Sequence, residues 1–348
     1  MMNNIIDKEI KKILADHNCR WEQLAGKTVL ITGATGLIGQ TLVQFLLNVE
    51  SESAPGLKII AAVRNSGKAL KLFGIHENLE LIAGDIREPI HCDRNVDYVI
   101  HAASATSSRD FIERPVDVIE TAIGGTKQVL EFSREKSIKG FVYLSSMEVY
   151  GAPQTDELID EQHSTDLDTT KVRSCYPESK RMCEALCVSY CEQYGVPARI
   201  IRLTQTFGPG VVYDDGRVFA EFARCAIEGR DIVLHTKGET KRSYLYTIDA
   251  VTAILTVLLN GENGEAYNAA NEETYCSIYE MAELVAKQCA EGAIDVKIEE
   301  TDAEKLGYAP VLHMNLKTDK IRSIGWKAET GLSDIFRKMV EDMQQEIR

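Results

Sequence analysis

Residues 28–39, TVLITGATGLIG, join a continuous apolar strand to three evenly spaced glycines and then to a helical pattern. Gly33 and Gly36 let the backbone turn tightly and approach a pyrophosphate, and Gly39 lets the following helix pack closely on the strand. The N-terminus of that helix offers free N–H groups and partial positive charge to phosphates. The stretch therefore predicts a dinucleotide site, and a purely structural turn is the alternative interpretation.

Outward from this loop, short apolar β-branched runs alternate with helical patterns through the first two-thirds of the chain. The alternation predicts an α/β fold, a Rossmann-type doubly wound parallel sheet, with a smaller α/β C-terminal substrate domain. The predicted strands are 28–32, 58–63, 79–83, 98–101, 140–145, 198–203 and a returning strand at 265–270. The predicted helices are 39–48, 116–136, 177–194, 244–259 and 277–290.

The domain prediction has three parts, of which the first is an N-terminal amphipathic helix within 1–25. That segment mixes isoleucines with charged residues at helical spacing and lacks the apolar run of a signal peptide, so we expect it to pack on the body or on a neighbouring subunit. A dinucleotide-binding domain follows over 26–204. The segment 205–348 is predicted to be mainly substrate-binding, with 240–270 returning to the dinucleotide-binding domain.

Composition narrows the class of partner. The 348 residues include 39 Lys and Arg against 53 Asp and Glu, a net charge of −14, which disfavours nucleic acid. No stretch approaches the roughly 20 apolar residues of a membrane span, so we expect a soluble, cytoplasmic protein without a membrane partner.

Cys183, Cys187 and Cys191 recur along one helical face without paired histidines, which favours a core stripe over a metal site. We predict no metal.

The end of the second strand bears on the choice between NAD and NADP. Arg64 stands there with no competing carboxylate, and an arginine can pair with a 2′-phosphate, so NADP is favoured over NAD. A solvated surface arginine is the alternative. Asp85 follows the third strand, where it could bind the adenine amino group. The predicted cofactor contacts are Gly33, Thr35, Gly36, Leu37, Ile38, Gly39, Arg64, Asp85, Ile86, His101, Ala102, Ala103, Tyr176 and Lys180.

Tyr176 and Lys180 place a phenol and an ammonium four residues apart on one helical face. A phenol has a pKa near 10, and a neighbouring cation lowers that pKa, so the pair could take a proton from a sugar hydroxyl. Ser146, at the end of the fifth strand, would hydrogen-bond the reacting oxygen. Glu148 is either an acid–base group at a neighbouring carbon or a ligand for sugar hydroxyls.

These motifs together resemble the extended short-chain dehydrogenase/reductase family, in its nucleotide-sugar epimerase/dehydratase branch. The resemblance covers the chain from about Gly26 to at least Ala270. It rests on the segments TGATGLIG (32–39), HAA (101–103), SSMEVYG (145–151), YPESK (176–180), RLTQTFGP (202–209), DGRV (215–218) and KRSY (241–244).

The resemblance implies catalytic and substrate-binding roles. It implies that Ser146, Tyr176 and Lys180 form a catalytic triad, that a nucleotide-diphosphate sugar is the substrate, and that the protein is a homodimer. It also implies that Arg217 and Arg242 contact the diphosphate or nucleotide. Gln205 stands where the family commonly has asparagine, among the substrate contacts.

Two positions bear on the reaction type. Met147 stands where 4,6-dehydratases of the branch carry an aspartate, which disfavours dehydration by that route, whereas Arg181 after Lys180 is similar to the pattern of glucuronate decarboxylases. The leading hypothesis is an NAD(P)-dependent enzyme acting through a 4-keto nucleotide sugar, as an epimerase or a decarboxylase/dehydratase. An NADPH-dependent 4-keto nucleotide-sugar reductase is the alternative, favoured by Arg64. A non-catalytic dinucleotide-sensing protein is least favoured, because a sensor needs no phenol–ammonium pair.

Overall fold

The computed structural model describes residues 4–15, 21–301 and 311–347. The strands are β1 Thr28–Thr32, β2 Lys58–Val63, β3 Leu79–Ala83, β4 Tyr98–His101, β5 Gly140–Ser146, β6 Ala198–Leu203, β7 Gln205–Phe207, β8 Ile232–Leu234, β9 Lys241–Tyr246, β10 Ala266–Ala269, β11 Asn271–Ser277, β12 Val296–Ile298 and β13 His313–Met314. The helices are α1 Asn4–Ala15, α2 Leu37–Glu52, α3 Ser66–Phe73, α4 Ser108–Glu113, α5 Pro115–Lys136, α6 Cys175–Tyr194, α7 Val218–Glu228, α8 Thr247–Asn260, α9 Ile278–Gln288, α10 Asp319–Ser323 and α11 Leu332–Ile347.

The main sheet has seven strands in the order β10-β6-β5-β4-β1-β2-β3, and every neighbouring pair is parallel. The predicted Rossmann-type sheet is confirmed, including the returning strand β10 beside β6. The chain moves outward from β1 to β3 and then returns to β4 on the other side of β1. Ligands of such sheets bind in the crevice at this reversal, beyond the carboxyl ends of the strands.

Helices cover both faces of the main sheet, which explains why its strands read as continuous apolar runs. In β1, Val29 and Ile31 belong to the hydrophobic core shared with α2 and α8, whereas Leu30 belongs to the core shared with α5 and α6. Cys183 and Cys187 of α6 are buried in that second core. The predicted cysteine stripe therefore packs against the sheet along at least these two positions.

The prediction of a helix over 244–259 is wrong at its beginning, because residues 244–246 belong to strand β9 and α8 begins only at Thr247. Tyr244 and Tyr246 alternate along β9, which pairs in parallel with β7 and antiparallel with β11 in a second, mixed sheet. Cross-strand pairing of these aromatic residues outweighs the local helical pattern. β9 thus lies outside the main sheet, while β10 lies within it; the domain boundaries at 25, 204 and 240–270 stay a prediction.

The predicted N-terminal helix is present as α1, which packs on α2 through buried Ile5, Ile6 and Ile10. Residues 1–3 and 16–20 of the predicted segment lie outside the described residues. Among the described helices, none has the length and apolar character needed to cross a bilayer.

Candidate active site

A cavity of about 950 Å³ opens at the carboxyl ends of β1 to β4, where the strand order reverses. Most of the predicted cofactor contacts line its wall. Those lining residues are Gly33, Thr35, Gly36, Leu37, Ile38, Gly39, Arg64, Asp85, Ile86, Ala102 and Ala103, and the predicted substrate contact Arg217 lines it as well.

The glycine loop has the geometry that close approach to a pyrophosphate requires. Gly33 has φ +66°, and a Cβ there would lie 2.7 Å from the Ala103 nitrogen. A Cβ on Gly39 would lie 2.2 Å from the Gly33 oxygen, so only glycine lets α2 begin this close to the turn. Gly36 caps α2 without a side-chain hydrogen bond, which leaves the first-turn N–H groups to a ligand. The loop fits a dinucleotide.

Charged side chains surround the far end of the cavity, beyond β2 and β3. Arg64, Lys68 and Arg87 line this end, and the Asp85 carboxylate accepts hydrogen bonds from Arg87 Nε at 3.0 Å and Nη2 at 2.7 Å. Those bonds lower the pKa of Asp85 to about 2. Asp85 is therefore an anion braced by Arg87, a partner that the sequence did not suggest.

His101 lies beneath the cavity and is not among its lining residues. Its Nδ1 is 2.7 Å from Thr32 Oγ1, and its Nε2 is 3.1 Å from Thr126 Oγ1. The Ala103 N–H donates to the same Thr32 hydroxyl at 3.2 Å. Burial lowers the pKa of His101 to about 3, so the ring is neutral and supports the backbone of Ala103 through Thr32.

Tyr176 and Lys180 lie in the first turns of α6, facing the end of β5. Lys180 Nζ donates to the Leu144 oxygen at 2.7 Å, and Leu144 lines the cavity, so the ammonium sits directly behind the cavity wall. Ser146 Oγ accepts the Glu148 N–H at 3.2 Å and hydrogen-bonds the Tyr176 phenol. The structure brings the predicted hydroxyl, phenol and ammonium together.

The pKa of Tyr176 differs from the expectation that Lys180 lowers it. Burial raises the pKa of Tyr176 above 10, the Glu148 charge raises it further, and the Ser146 hydrogen bond and Arg173 oppose the rise. Burial also lowers the pKa of Lys180, to about 8. Desolvation is the largest cause of both pKa shifts, and the spacing of the two residues in the sequence does not reveal it.

Two residues beside the phenol were not predicted. Arg173 forms an ion pair with Glu148, with Nη2 2.9 Å from Oε2, and its guanidinium carbon lies 4.6 Å from the centroid of the Phe111 ring. Phe111 in turn stacks on Tyr176 at 4.4 Å between ring centroids. Arg173 precedes Tyr176 by only three residues, so a cation this close to the motif could have been identified from the sequence. Nothing in the sequence around Phe111 indicated its contact with Tyr176.

Three of the four predicted substrate contacts, Gln205, Arg217 and Arg242, divide between two places, and the fourth is Ser146 at the end of β5. Arg217 forms an ion pair with Asp215 at 2.6 Å and lines the cavity. Arg242 on β9 donates from Nη1 to Gln205 Oε1 at 3.4 Å, and its buried Nε has no hydrogen-bond partner in the described part of the chain. An orphaned guanidinium N–H of this kind suits an anionic ligand.

Met147 and Arg181, the positions that bear on reaction type, both act within the protein. Met147 is buried in a cluster with Tyr150 and Leu316, and its Sδ accepts a hydrogen bond from Thr204 at 3.3 Å. Arg181 donates to the Val149 oxygen at 2.8 Å and to a second loop carbonyl, so it braces the segment after β5 against α6.

A dinucleotide loop on a doubly wound sheet, joined to a serine, tyrosine and lysine at the end of β5, defines an extended short-chain dehydrogenase/reductase. A family model described as "NAD dependent epimerase/dehydratase family" matches residues 29–270. The chain therefore belongs to the NAD-dependent epimerase/dehydratase family, which confirms the resemblance. It is an NAD(P)-dependent, nucleotide-sugar-modifying enzyme and not a non-catalytic sensor.

Similar proteins include UDP-glucuronic acid decarboxylase 6 of Arabidopsis thaliana, which is 30% identical over 91% of this chain and 88% of its own length. UDP-glucuronic acid decarboxylase 1 of Xenopus tropicalis is 28% identical over 92% of this chain and 73% of its own length. Among solved structures, UDP-glucose 4-epimerase of Thermotoga maritima, crystallised with UDP-glucose, superposes with a TM-score of 0.78 at 20% identity. That superposition covers 92% of this chain and 100% of the epimerase.

Proposed function

We propose that the chain decarboxylates a nucleotide-linked uronic acid, with UDP-glucuronate as the substrate to test first. The observation that carries this proposal is Glu148, a carboxylate paired with Arg173 beside the Tyr176 phenol. A simple 4-epimerase needs no such extra acid–base group, and the aspartate of the 4,6-dehydratases is replaced by Met147, which is turned into a hydrophobic cluster. The similarity to UDP-glucuronic acid decarboxylases supports the same choice.

The proposed chemistry assigns one task to each residue. A nicotinamide cofactor held by the glycine loop would supply the hydride chemistry at sugar C4, as reversible acceptor. Tyr176 accepts the proton of the C4 hydroxyl and gives it back, and Ser146 hydrogen-bonds that oxygen. Lys180 stabilises the phenolate electrostatically, and Arg217 and Arg242 hold the diphosphate.

The C4 ketone is what permits loss of the carboxylate. The C5–carboxylate bond breaks, CO₂ leaves, and the electron pair moves into an enolate on C4 and its oxygen. Glu148 then donates a proton to C5 and is reloaded from solvent. The overall change is uronate plus one proton to pentose plus CO₂, with no net use of cofactor.

The test is incubation of the purified chain and cofactor with UDP-glucuronate, with CO₂ release and sugar NMR followed together. We expect UDP-xylose and CO₂ in equal amounts. Tyr176→Phe should lower turnover by about a hundredfold or more, the usual contribution of general acid–base catalysis, while cofactor binding persists. Turnover of UDP-glucuronate to a 4-epimer without CO₂ would contradict the proposal.

For the cofactor, we infer a preference for NADP over NAD. Arg64 lines the cavity at the end of β2, and Lys68 lies nearby on α3. Both cations suit a 2′-phosphate. We expect Arg64→Asp to invert the ratio of the NADP and NAD dissociation constants, measured by calorimetry. An unchanged ratio would reject the assignment.

Arg64 also favours the second candidate function, an NADPH-dependent reductase of a 4-keto nucleotide sugar. That enzyme would use the same serine, tyrosine and lysine to deliver hydride and a proton to the ketone. It would consume NADPH steadily with substrate, whereas the decarboxylase gives no lasting change in cofactor absorbance.

We further propose a cytoplasmic homodimer. Exposed apolar side chains follow the outer surface of the paired helices α5 and α6, and a second copy would cover them. These side chains are Val116, Ile119 and Met182.

A further inference from the structure

Arg173 is held beside the catalytic phenol by an aromatic ring. Its guanidinium carbon lies 4.6 Å from the Phe111 ring centroid, and the Phe111 ring is stacked on Tyr176 at an interplanar angle of 20°. The three side chains come from separate elements: α4, the 3₁₀ turn Val172–Ser174 and α6. A cation over an aromatic face is stabilised without using its N–H donors, so the fork of Arg173 remains available for an anion.

The partner that Arg173 has in the structure is the Glu148 carboxylate. Arg173 Nη2 is 3.0 Å from Oε1 and 2.9 Å from Oε2, and in the described part of the chain Glu148 accepts every hydrogen bond that the guanidinium donates. Their side chains are 31% and 28% exposed. A partly exposed pair of this kind contributes little stability, so another carboxylate can compete for the arginine at low cost.

We propose that Arg173 recognises the substrate carboxylate by exchange: the uronate takes the place of Glu148 on the guanidinium and sets Glu148 free. This inference rests on the proposed decarboxylation and names the residue that gives it substrate specificity. A nucleotide sugar without a carboxylate leaves the Arg173–Glu148 pair intact.

The exchange makes Glu148 available as a proton donor only when a uronate substrate is bound. While paired, Glu148 is held by Arg173 through both carboxylate oxygens. Once released, its carboxyl group can turn to the sugar and deliver a proton to C5. The substrate carboxylate leaves as CO₂, so Arg173 loses its new partner and can pair with Glu148 again. Arg173 acts on the substrate carboxylate itself and not on the hydride step.

The first measurement compares binding of UDP-glucuronate with binding of UDP-xylose, which differs only by the lost carboxylate. We expect Arg173→Met to weaken UDP-glucuronate binding by about tenfold or more, the loss of a charge-assisted hydrogen bond, and UDP-xylose binding by less than about twofold. Arg173→Lys should weaken UDP-glucuronate binding less than Arg173→Met does, because lysine keeps the positive charge. Arg109→Met is the matched control, because Arg109 is an exposed arginine on α4 whose carboxylate partner is Glu113 and not Glu148.

The second measurement uses a variant without the Glu148 carboxylate, which competes with the substrate for Arg173. Glu148→Gln should bind UDP-glucuronate about threefold to fivefold more tightly, the strength of a partly exposed ion pair, while turnover falls. In the Arg173→Met background, Glu148→Gln should not tighten UDP-glucuronate binding, because the exchange needs both Arg173 and Glu148. A purely structural Arg173 would not tighten binding in this way.

The outcomes separate the two proposals. If the native chain releases no CO₂ from UDP-glucuronate, the proposed function fails, and the binding comparison still decides whether Arg173 recognises a carboxylate. If CO₂ is released but Arg173→Met and Arg173→Lys discriminate the two ligands as the native chain does, the inference is overturned. Circular dichroism and cofactor binding show whether Arg173→Met is folded. If Arg173→Met is misfolded, Arg173→Lys and Glu148→Gln test the inference in its place.

Discussion

At the scale of single residues, burial decides the charges around the reacting sugar. Tyr176 and Lys180 are both buried, and the pKa of each moves against its charged form. A phenol and an ammonium four residues apart could be identified from the sequence, but their desolvation depends on Phe111 and Tyr143, which pack around them from distant positions. A bound, positively charged nicotinamide would favour the phenolate against this desolvation.

Lys180 should make stability depend on pH in a defined window. Its folded-state pKa of about 8 lies below the ordinary value of 10.5, so between these values the unfolded chain binds more protons than the folded chain. The free energy of unfolding therefore rises with pH across this window, by up to about 3 kcal/mol from this residue. Urea unfolding of the native chain and of Lys180→Met should diverge by this amount as pH rises from 8 to 10.5.

The control for this prediction is Lys127→Met, which replaces an exposed lysine on α5. An exposed ammonium meets water in both states, so its removal should leave the pH dependence unchanged. Parallel pH profiles for the native chain and Lys180→Met would show that the lysine is not desolvated.

At the scale of elements, the strands of the main sheet were predictable because both of their faces are buried. β1 reads as five residues of apolar or β-branched character, and its neighbours read similarly. β9 was not recognised, because KRSYLY has a charged start and gains its pairing from β7 and β11, far away in sequence. The same separation hid the Arg173–Phe111 contact, which joins residues 62 positions apart; no local pattern encodes it.

The beginning of α2 should be the least tolerant point of the dinucleotide loop. Gly39→Ala would place a Cβ 2.2 Å from the Gly33 oxygen, a backbone atom that cannot move without shifting the turn. We expect a loss of about 1–3 kcal/mol in the free energy of unfolding and weaker cofactor binding. Urea unfolding and calorimetric titration with NADP measure the two effects.

Gly124→Ala is the matched control, because Gly124 is also a helical glycine. A Cβ there would meet only Arg87 Cγ, at 3.9 Å, so the variant should gain about 0.5–1 kcal/mol from helix propensity. If both alanines gained stability, the close contact at Gly39 would not constrain the loop.

At the scale of the whole molecule, an acidic protein has to bind anionic ligands. The net charge of −14 repels a nucleotide sugar, yet arginines are concentrated around the cavity on several elements. Arg64, Arg87, Arg114 and Arg217 line it, and carboxylates balance three of them: Asp85, Asp117 and Asp215. Bracing of this kind keeps the guanidinium groups oriented before the ligand arrives, which lowers the ordering cost of binding.

The outer surface of α5 and α6 should carry the dimer contact. α5 and α6 pack side by side, with Thr126 donating to Cys183 and Tyr190 donating to Glu131, and their outer surface leaves Ile119 and Met182 exposed. Burying those side chains against a second copy favours association, and a charge placed there opposes it. The double variant Ile119→Glu/Met182→Glu should therefore be monomeric by sedimentation velocity at concentrations where the native chain is dimeric. Val233→Glu, which replaces an exposed apolar residue on β8, should leave the dimer intact. The assignment would be contradicted if Val233→Glu also dissociated the dimer, or if the native chain were monomeric.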